Sequence, residues 1–156
     1  MKNSGLEIRR YEKGDEDAVF NLHIKALKPT GSYIDSGEWN ADFSDIESIY
    51  IKPGGEFLVG TIDGEIVAIG ALKKVSTDHA EIKRMRVDPL FQRRGFGQEI
   101  LTKLEHRARE LGFNCLELDT GVIQEAAQKL YEKNGFKEFK RGELGGIPCI
   151  FYRKML

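Results

Sequence analysis

The sequence predicts one mixed α/β domain that spans residues 1–156. Its length is close to that of a single domain core. Segments in which apolar and polar residues alternate are interspersed with segments whose apolar residues recur at helical spacing. Hydrophobic residues make up 40% of the chain and charged residues 31%. This balance is typical of globular proteins and excludes disordered and collagen-like chains.

The first third of the chain predicts a strand, a helix and a loop. Leu6–Ile8 alternates as a strand, and Asp15 is a candidate N-cap for the helix that follows. The apolar face of that helix carries Val19, Leu22 and Ala26. The segment from Lys28 to Pro53 mixes glycine, serine and aromatic residues, which predicts a loop with a short helix near Asp42–Tyr50.

A hairpin follows, because Asp63-Gly64 joins the strand-like segments Glu56–Ile62 and Glu65–Val75 with residues suited to a tight turn. Ala80–Val87 is a further strand, and Asp88-Pro89 ends it.

The clearest helix is Gln98–Leu111, whose apolar residues recur at steps of three and four and which ends at Gly112. The remaining predicted elements are the strand Asn114–Asp119, the helix Glu125–Lys133 and the strands Phe136–Arg141 and Cys149–Lys154. Two strands joined by a helix lie parallel with a right-handed crossover. The turn between Ala80–Val87 and the long helix is therefore the predicted ligand-binding position.

The net charge and the cysteine content argue against nucleic-acid-binding, membrane and secreted proteins. The net charge of −1 argues against a nucleic-acid-binding or membrane-surface protein, whose charge is usually basic. No apolar run approaches the ~20 residues that span a bilayer. The start of the chain shows no signal peptide, and Cys115 and Cys149 are predicted to be buried thiols in a reducing compartment. We therefore expect a cytoplasmic protein.

The turn Gln92–Gly97 opens the long helix and has the properties of a phosphate-binding site. Gly95 and Gly97 let the backbone approach a ligand, and the first helical N–H groups carry partial positive charge. Arg93 and Arg94 add full charges. The alternative is that this Gly-x-Gly turn only permits tight packing and binds no ligand. It is neither a dinucleotide fingerprint nor a Walker loop.

This turn and its flanks resemble a known family. The strand end Met85–Pro89, followed by Gln-x-x-Gly-x-Gly at Gln92–Gly97, is similar to the acetyl-CoA-binding motif of the GNAT N-acetyltransferase superfamily. Ala127–Phe136 is similar to a further segment of the family. The resemblance runs over residues 81–139, and residues 28–55 carry no signature of it.

The resemblance implies a central mixed, mostly antiparallel sheet of about seven strands with a parallel, splayed central pair, flanked by about four helices. It implies acetyl-CoA as co-substrate, with main-chain groups of Met85 and Val87 on the pantetheine and thioester. Core packing is the alternative role for these two residues. The pyrophosphate would lie on the amides of Arg93–Gln98. The implied cofactor-binding residues are Met85, Arg86, Val87, Gln92, Arg93, Arg94, Gly95, Phe96, Gly97, Gln98, Gln124 and Ala127.

Attack of an amine on a thioester needs a base, because an alkylamine with a pKa of about 10 is mostly protonated at neutral pH. Glu81 is the candidate base, since the family often places a catalytic or water-relaying glutamate there. Its even spacing from Met85 predicts that both side chains share one face of the sheet. The alternative for Glu81 is an ion pair with Lys83. Asp119, at a strand end, is a competing base or substrate anchor, or a cap of the following turn.

Tyr131 lies where the resemblance implies the general acid that protonates the departing thiolate. Its phenol can donate while its ring packs against the chain. The alternative is a purely structural tyrosine beside Leu130.

The sequence predicts no metal and no covalent enzyme intermediate. His23, His79 and His106 lie on three different predicted elements without metal-ligand spacing. Cys115 lies early in its strand, away from the strand end. We expect direct transfer of an acetyl group from acetyl-CoA to a primary amine of a small molecule or peptide. The alternative is a non-catalytic acyl-CoA-binding sensor or interaction module of the same fold.

The stretch from Gly31 to Ile51 carries five carboxylates and no lysine or arginine. The resemblance implies that this segment shapes the acceptor pocket, so Tyr33 and Trp39, with Asp119, are candidate substrate-binding residues. Carboxylates among aromatic rings favour a cationic acceptor such as a polyamine or a peptide lysine. The alternative is a solvated surface. The resemblance also leaves a homodimer open, because dimers are common in the family.

Overall fold

A computed structural model gives the structure of residues 4–31, 33 and 39–156. The elements in these residues are β1 Glu7–Arg10, α1 Glu16–Leu27, β2 Glu56–Ile62, β3 Glu65–Lys74, β4 His79–Val87, α2 Phe96–Glu110, β5 Cys115–Gly121, α3 Glu125–Lys133, β6 Lys137–Leu144 and β7 Ile147–Met155. Short 3₁₀ turns lie at Lys28–Thr30, Ala41–Ser44 and Pro89–Phe91, and one π-helical turn lies at Glu47–Ile51.

The strands form one seven-stranded sheet in the order β1-β2-β3-β4-β5-β7-β6. Neighbouring strands pair antiparallel, except β4 and β5, which are parallel and are joined through α2. The layered α/β fold with a mixed, mostly antiparallel sheet and a parallel central pair is therefore confirmed.

Two predictions for the first third of the chain need correction, namely the N-cap at Asp15 and the short helix near Asp42–Tyr50. Asp15 precedes α1, but its carboxylate accepts hydrogen bonds from Arg9 Nη1 and Nη2, at 2.8 and 3.0 Å, instead of capping the helix. The predicted short helix at Asp42–Tyr50 is two separate turns. Asp45 divides them, because its backbone is not helical, with φ −155° and ψ 67°, and its carboxylate accepts from the Ser48 amide at 3.2 Å.

The parallel strands β4 and β5 diverge toward their C-terminal ends. β4 and β5 pair at His79↔Cys115, Ala80↔Leu116 and Glu81↔Glu117. Both strands then continue, to Val87 and Gly121, beyond the last of these pairs. The backbone edges of β4 and β5 that face each other in this opening are available to a ligand.

A β-bulge in β4 changes which side chains share a face. Lys73 pairs with Glu81, whereas Ile69 pairs with Arg86, so β4 has one residue more than β3 in between. Arg84, with φ +57°, lies within this segment. Beyond the bulge Met85 packs against the core on the α2 side, where a Cβ at Gly70 would lie 2.6 Å from its Sδ.

The prediction that Glu81 and Met85 share a face is therefore wrong. Ile82 is buried on the α2 side, and its neighbour Glu81 points to the opposite face. The extra residue at the bulge reverses the alternation before Met85.

The sheet separates two hydrophobic clusters. Ile100, Leu104 and Tyr131 belong to the cluster that covers the α2 and α3 face, and Val19 and Phe57 to the cluster on the α1 face. Both cysteines are buried free thiols, as predicted. Among the described helices, none combines the length and the apolar character needed to cross a bilayer.

Candidate active site

A cavity of about 830 Å³ lies between the diverged ends of β4 and β5. Residues of α1 and of the turns before β2 form its wall on one side, and the first half of α3 forms the other. The sequence-predicted residues that line it are Trp39, Met85, Arg86, Val87, Gln92, Asp119, Gln124, Ala127 and Tyr131. Glu81 and Tyr33 lie outside this lining, and Arg93–Gln98 follow directly after Gln92 at its edge.

The turn after β4 presents amides without intrahelical partners at the start of α2. Gly95 has φ +82° and precedes the first helical residue, Phe96. The Glu99 N–H donates to the Gly95 carbonyl at 3.1 Å. The N–H groups of Phe96, Gly97 and Gln98 therefore precede the first intrahelical bond, and the helix dipole adds positive charge at that point.

The side chains of this turn have structural roles of their own. The Phe96 ring is buried and stacks on Phe91. Gln98 and Asn134 exchange two amide hydrogen bonds, at 2.8 and 2.7 Å, and so join α2 to the end of α3. Predicted contacts of Phe96 and Gln98 with a cofactor are thus limited to their backbone. A Cβ at Gly97 would make an ordinary van der Waals contact with Leu130, 3.6 Å from its Cδ2.

Tyr131 lines the cavity with 5% of its surface exposed. Its ring packs on Phe136 and Tyr152, with centroids 5.7 and 6.4 Å away, which fixes its position. Burial raises the pKa of Tyr131, so the phenol is protonated at neutral pH. Within the described part of the chain its hydroxyl has no hydrogen-bond partner, which leaves its proton available to a ligand in the cavity.

Asp119 lies near the end of β5 and also lines the cavity. Burial raises the pKa of Asp119, and the nearby charge of Glu81 raises it further, while the positive charge of Lys83 opposes the shift. Among the described hydrogen bonds and ion pairs, none involves the Asp119 carboxylate. A carboxylate in this state is a stronger base than an exposed one.

Glu81 occupies the last pair before β4 and β5 diverge. Its Oε2 lies 3.3 Å from Lys83 Nζ, which is the alternative that the sequence leaves open for this residue. The charge of Glu81 raises the pKa of Asp119, although Glu81 does not line the cavity. The structure therefore brings Asp119, rather than Glu81, to the same space as Tyr131.

Arg86 points toward α1, on the cavity side opposite α3. Its Nε donates to His23 Nδ1 at 3.3 Å, and its Nη1 donates to the Met85 carbonyl at 2.7 Å. Because a guanidinium can only donate, His23 Nδ1 is the unprotonated nitrogen, and Nε2–H donates to Asn40 Oδ1 at 3.2 Å. Burial lowers the pKa of Arg86 to about 10, so it is charged at neutral pH.

The sequence reasoning missed His23 as a site residue, although a signal for it exists. His23 falls at helical spacing with Val19 and Ala26, and it is 1% exposed. Burial, with the charges of Arg86 and Arg84, lowers the pKa of His23 to about 3.

This shift predicts a loss of stability in acid. The unfolded chain binds a proton at His23 below about pH 6.5, whereas the folded chain does so at about pH 3. The free energy of unfolding therefore falls as the pH drops below about 6.5, by up to about 1.4 kcal/mol per pH unit. Denaturant titrations between pH 6.5 and 5 should show a smaller slope for His23→Gln than for the wild type. Equal slopes would contradict the assignment of a buried, neutral His23.

Arg84 was also missed as a site residue, although it belongs to the basic segment Lys83–Arg94. Its guanidinium donates to both oxygens of Asp42, at 2.9 and 2.6 Å, and to the Trp39 carbonyl at 2.6 Å. It also lies over the Phe43 ring, 4.7 Å from the centroid. The Arg84 guanidinium and the Tyr50 hydroxyl hold the pKa of Asp42 below its usual range, against the effect of burial.

The prediction of an acidic, cation-binding pocket is therefore not supported. Asp42 lines the cavity, but Arg84 neutralises it. Asp35 and Glu38 lie outside the described residues. Trp39 lines the cavity as predicted, and Tyr33 instead contacts the His23 ring, 5.9 Å between centroids.

One histidine lies near other metal-ligating groups. The Nε2 atom of His79 is 3.9 Å from Cys115 Sγ and 3.4 Å from Glu117 Oε1, at the closed end of the β4–β5 pair. Arg153 already occupies the same Glu117 oxygen at 2.7 Å, so the group is explained as an ion-pair network. The absence of a metal stays a prediction.

Comparisons with known proteins agree with this geometry. The chain is 33% identical over 119 residues to N-acetylaspartate synthetase of Danio rerio, a match that covers 75% of this chain and 42% of that protein. It is 38% identical over 96 residues to IAA acetyltransferase of Azospirillum brasilense, covering 60% and 61%. The chain thus spans less than two thirds of the length of these relatives.

The fold is shared with solved structures. PaiA N-acetyltransferase from Thermoplasma acidophilum, solved in complex with coenzyme A, superposes with a TM-score of 0.79 at 20% identity, covering 97% of this chain and 99% of that chain. The model of the acetyltransferase (GNAT) family matches residues 18–136, more than half of the sequence. With the splayed strands and the amide-lined turn in place, the chain belongs to the acetyltransferase (GNAT) family.

Proposed function

We propose that the protein transfers an acetyl group from acetyl-CoA to a primary amine. One observation carries the proposal: Tyr131 and Asp119, both without partners among the described residues, face one cavity in the opening between β4 and β5. The amides without intrahelical partners at the start of α2 lie at the edge of that opening. The relatives are named for different acetylated compounds, so the similarity supports acetyl transfer rather than one acceptor.

The cofactor would enter along β4. The pyrophosphate would accept hydrogen bonds from the amides around Gly97, with Arg93 and Arg94 adding charge. The pantetheine would continue along the β5-facing edge of Met85 and Val87, where the parallel pairing has ended. Its thioester would then lie in the cavity, between Tyr131 on one side and Asp119 on the other.

The reaction would proceed by direct attack. The Asp119 carboxylate takes a proton from the acceptor ammonium, and the resulting amine nitrogen forms a bond to the thioester carbonyl carbon. As the carbon–sulfur bond breaks, the Tyr131 hydroxyl gives its proton to the thiolate. The positive charge of Arg86 favours this step, since it stabilises the phenolate and opposes the effect of burial on the pKa of Tyr131. The nitrogen of the new amide then loses its second proton to the Tyr131 phenolate, which restores the hydroxyl and leaves a neutral amide.

Gly95 gives a test of the phosphate-binding turn. At φ +82° an alanine is strained, but its Cβ would meet no atom within 4 Å, so the expected cost in the free energy of unfolding is about 1 kcal/mol. Because the strain also displaces the amides that follow, we expect Gly95→Ala to weaken acetyl-CoA binding several-fold in calorimetry.

The matched control is Gly64→Ala in the β2–β3 turn, with φ +81° and equally open space. It should lose similar stability and keep wild-type affinity for acetyl-CoA. Equal affinities of the two variants would show that the turn before α2 does not hold the cofactor.

Activity is tested by release of the coenzyme A thiol from acetyl-CoA in the presence of primary amines. Turnover with formation of an N-acetyl product would support the enzyme. Tight binding of acetyl-CoA without turnover on any amine would favour the non-catalytic sensor instead.

A further inference from the structure

Positive charge dominates the α1 side of the cavity, where the acceptor would bind. Lys73, Lys83, Arg84 and Arg86 all line it. Two of these cations have carboxylate partners: Arg84 pairs with Asp42 at 2.6 Å, and Lys83 pairs with Glu81 at 3.3 Å. In the described part of the chain Arg86 forms no such ion pair.

The guanidinium of Arg86 is partly buried, and its partners among the described residues are uncharged. Both acceptors of Arg86, His23 Nδ1 and the Met85 carbonyl, are uncharged. Burying a charge without a counter-ion is unfavourable, and the usual compensation is a bound anion. The two hydrogen bonds fix the plane of the guanidinium, and Nη2 remains without a partner among the described residues. The end of a fixed guanidinium matches a carboxylate in geometry as well as in charge.

The same cavity is lined by a carboxylate near Arg86, that of Asp119. Asp119 is close enough for Arg86 to lower its pKa, yet the two groups form no ion pair within the described structure. A ligand that carries a carboxylate and an ammonium on the same carbon atom could satisfy both groups at once. Its carboxylate would bind Arg86, and its ammonium would face Asp119, the proposed base.

We propose that the acceptor is a free α-amino acid, held by its carboxylate on Arg86. This inference rests on the proposed acetyl transfer and names the substrate class for it. A polyamine or a peptide lysine would place its extra positive charge or its uncharged amide against Arg86 and Lys73. His23 acts as a positioning residue, because its neutral Nδ1 accepts from Nε and orients the guanidinium.

The test compares each amino acid with its own carboxamide, which removes the carboxylate and keeps the amine. Rates of thiol release at saturating acetyl-CoA are compared per concentration of the ammonium form, which is the form that the proposed base deprotonates, for the common amino acids, their amides, spermidine and a lysine peptide. The amino acid should exceed its amide in kcat/KM by roughly 10- to 100-fold, the range for a hydrogen-bonded charge pair. The difference should lie mainly in KM.

The Arg86→Gln variant should lose this preference, whereas the control Arg141→Gln, on the exposed face of β6, should keep it. Cooperative denaturant unfolding of both variants shows that they fold. Equal kcat/KM for acid and amide in the wild type, or a preference that survives in Arg86→Gln, would overturn the inference. Turnover of spermidine or the peptide without amino acids would overturn it and leave the proposed function standing. No turnover of any amine would overturn both.

Discussion

Replacement of Tyr131 by phenylalanine is expected to lower kcat for acetyl transfer by roughly 10²- to 10⁴-fold, the contribution of a positioned general acid or base. Phenylalanine keeps the ring that packs on Phe136 and Tyr152 and removes the hydroxyl that faces the cavity. The fold and the dissociation constant for acetyl-CoA should therefore change little. Steady-state thiol release and calorimetry measure the two quantities separately.

The matched control is Tyr152→Phe. The Tyr152 hydroxyl donates to Glu132 Oε2 at 2.8 Å and lies outside the cavity lining, so its loss should cost some stability and leave kcat unchanged. A wild-type kcat for Tyr131→Phe would remove Tyr131 from the mechanism. An equal loss in both variants would point to packing rather than proton donation.

Replacement of Asp119 by asparagine is expected to lower kcat/KM by roughly 10²-fold or more, because an amide cannot take the proton from the ammonium. In the wild type, kcat/KM should rise with pH through the raised pKa of Asp119, and this acidic limb should be absent in the variant. Glu81→Gln is the comparison variant. It should lower kcat/KM less than Asp119→Asn does, because Glu81 affects the reaction only by raising the pKa of Asp119. A larger loss in Glu81→Gln than in Asp119→Asn would restore Glu81 as the base.

The same substitution should stabilise the protein. Since the folded-state pKa of Asp119 is raised, the folded chain holds this proton after the unfolded chain has lost it, and stability falls as the pH rises through that window. At pH 7 the charged carboxylate therefore costs folding free energy that asparagine avoids. Denaturant unfolding at pH 7 should show a higher free energy for Asp119→Asn than for the wild type, and a lower one would contradict the buried, unpaired state of Asp119.

Local rules were enough to predict much of the fold. The predicted bounds of α3, Glu125–Lys133, match the structure, because apolar spacing and Asn134-Gly135 define that helix within its own sequence. The hairpin at Asp63-Gly64 follows from turn residues, and both adopt positive φ there. The glycine turn before α2 follows from the same kind of rule, since Gly95 adopts positive φ directly before the helix. Its binding of phosphate stays a prediction.

The arrangement of charges could not be predicted in this way. Arg84 adopts φ +57° at the bulge in β4, and no residue type in β4 indicates that a bulge occurs there. Because of the bulge, Met85 lies on the opposite face of the sheet from Glu81. The family resemblance assigns the acidic stretch to the acceptor pocket, and its carboxylates and aromatic residues favour a cationic acceptor. Its Asp42 instead pairs with an arginine 42 residues away, a partner that only the tertiary structure defines.

The central claim is tested most directly by mixing the protein with acetyl-CoA and a panel of primary amines, then following both free thiol and N-acetyl product by mass spectrometry. The account predicts equal amounts of thiol and acetylated amine with at least one acceptor, and near loss of both in Tyr131→Phe. Acetyl-CoA that binds but stays intact with every amine, or that does not bind at all, would contradict it.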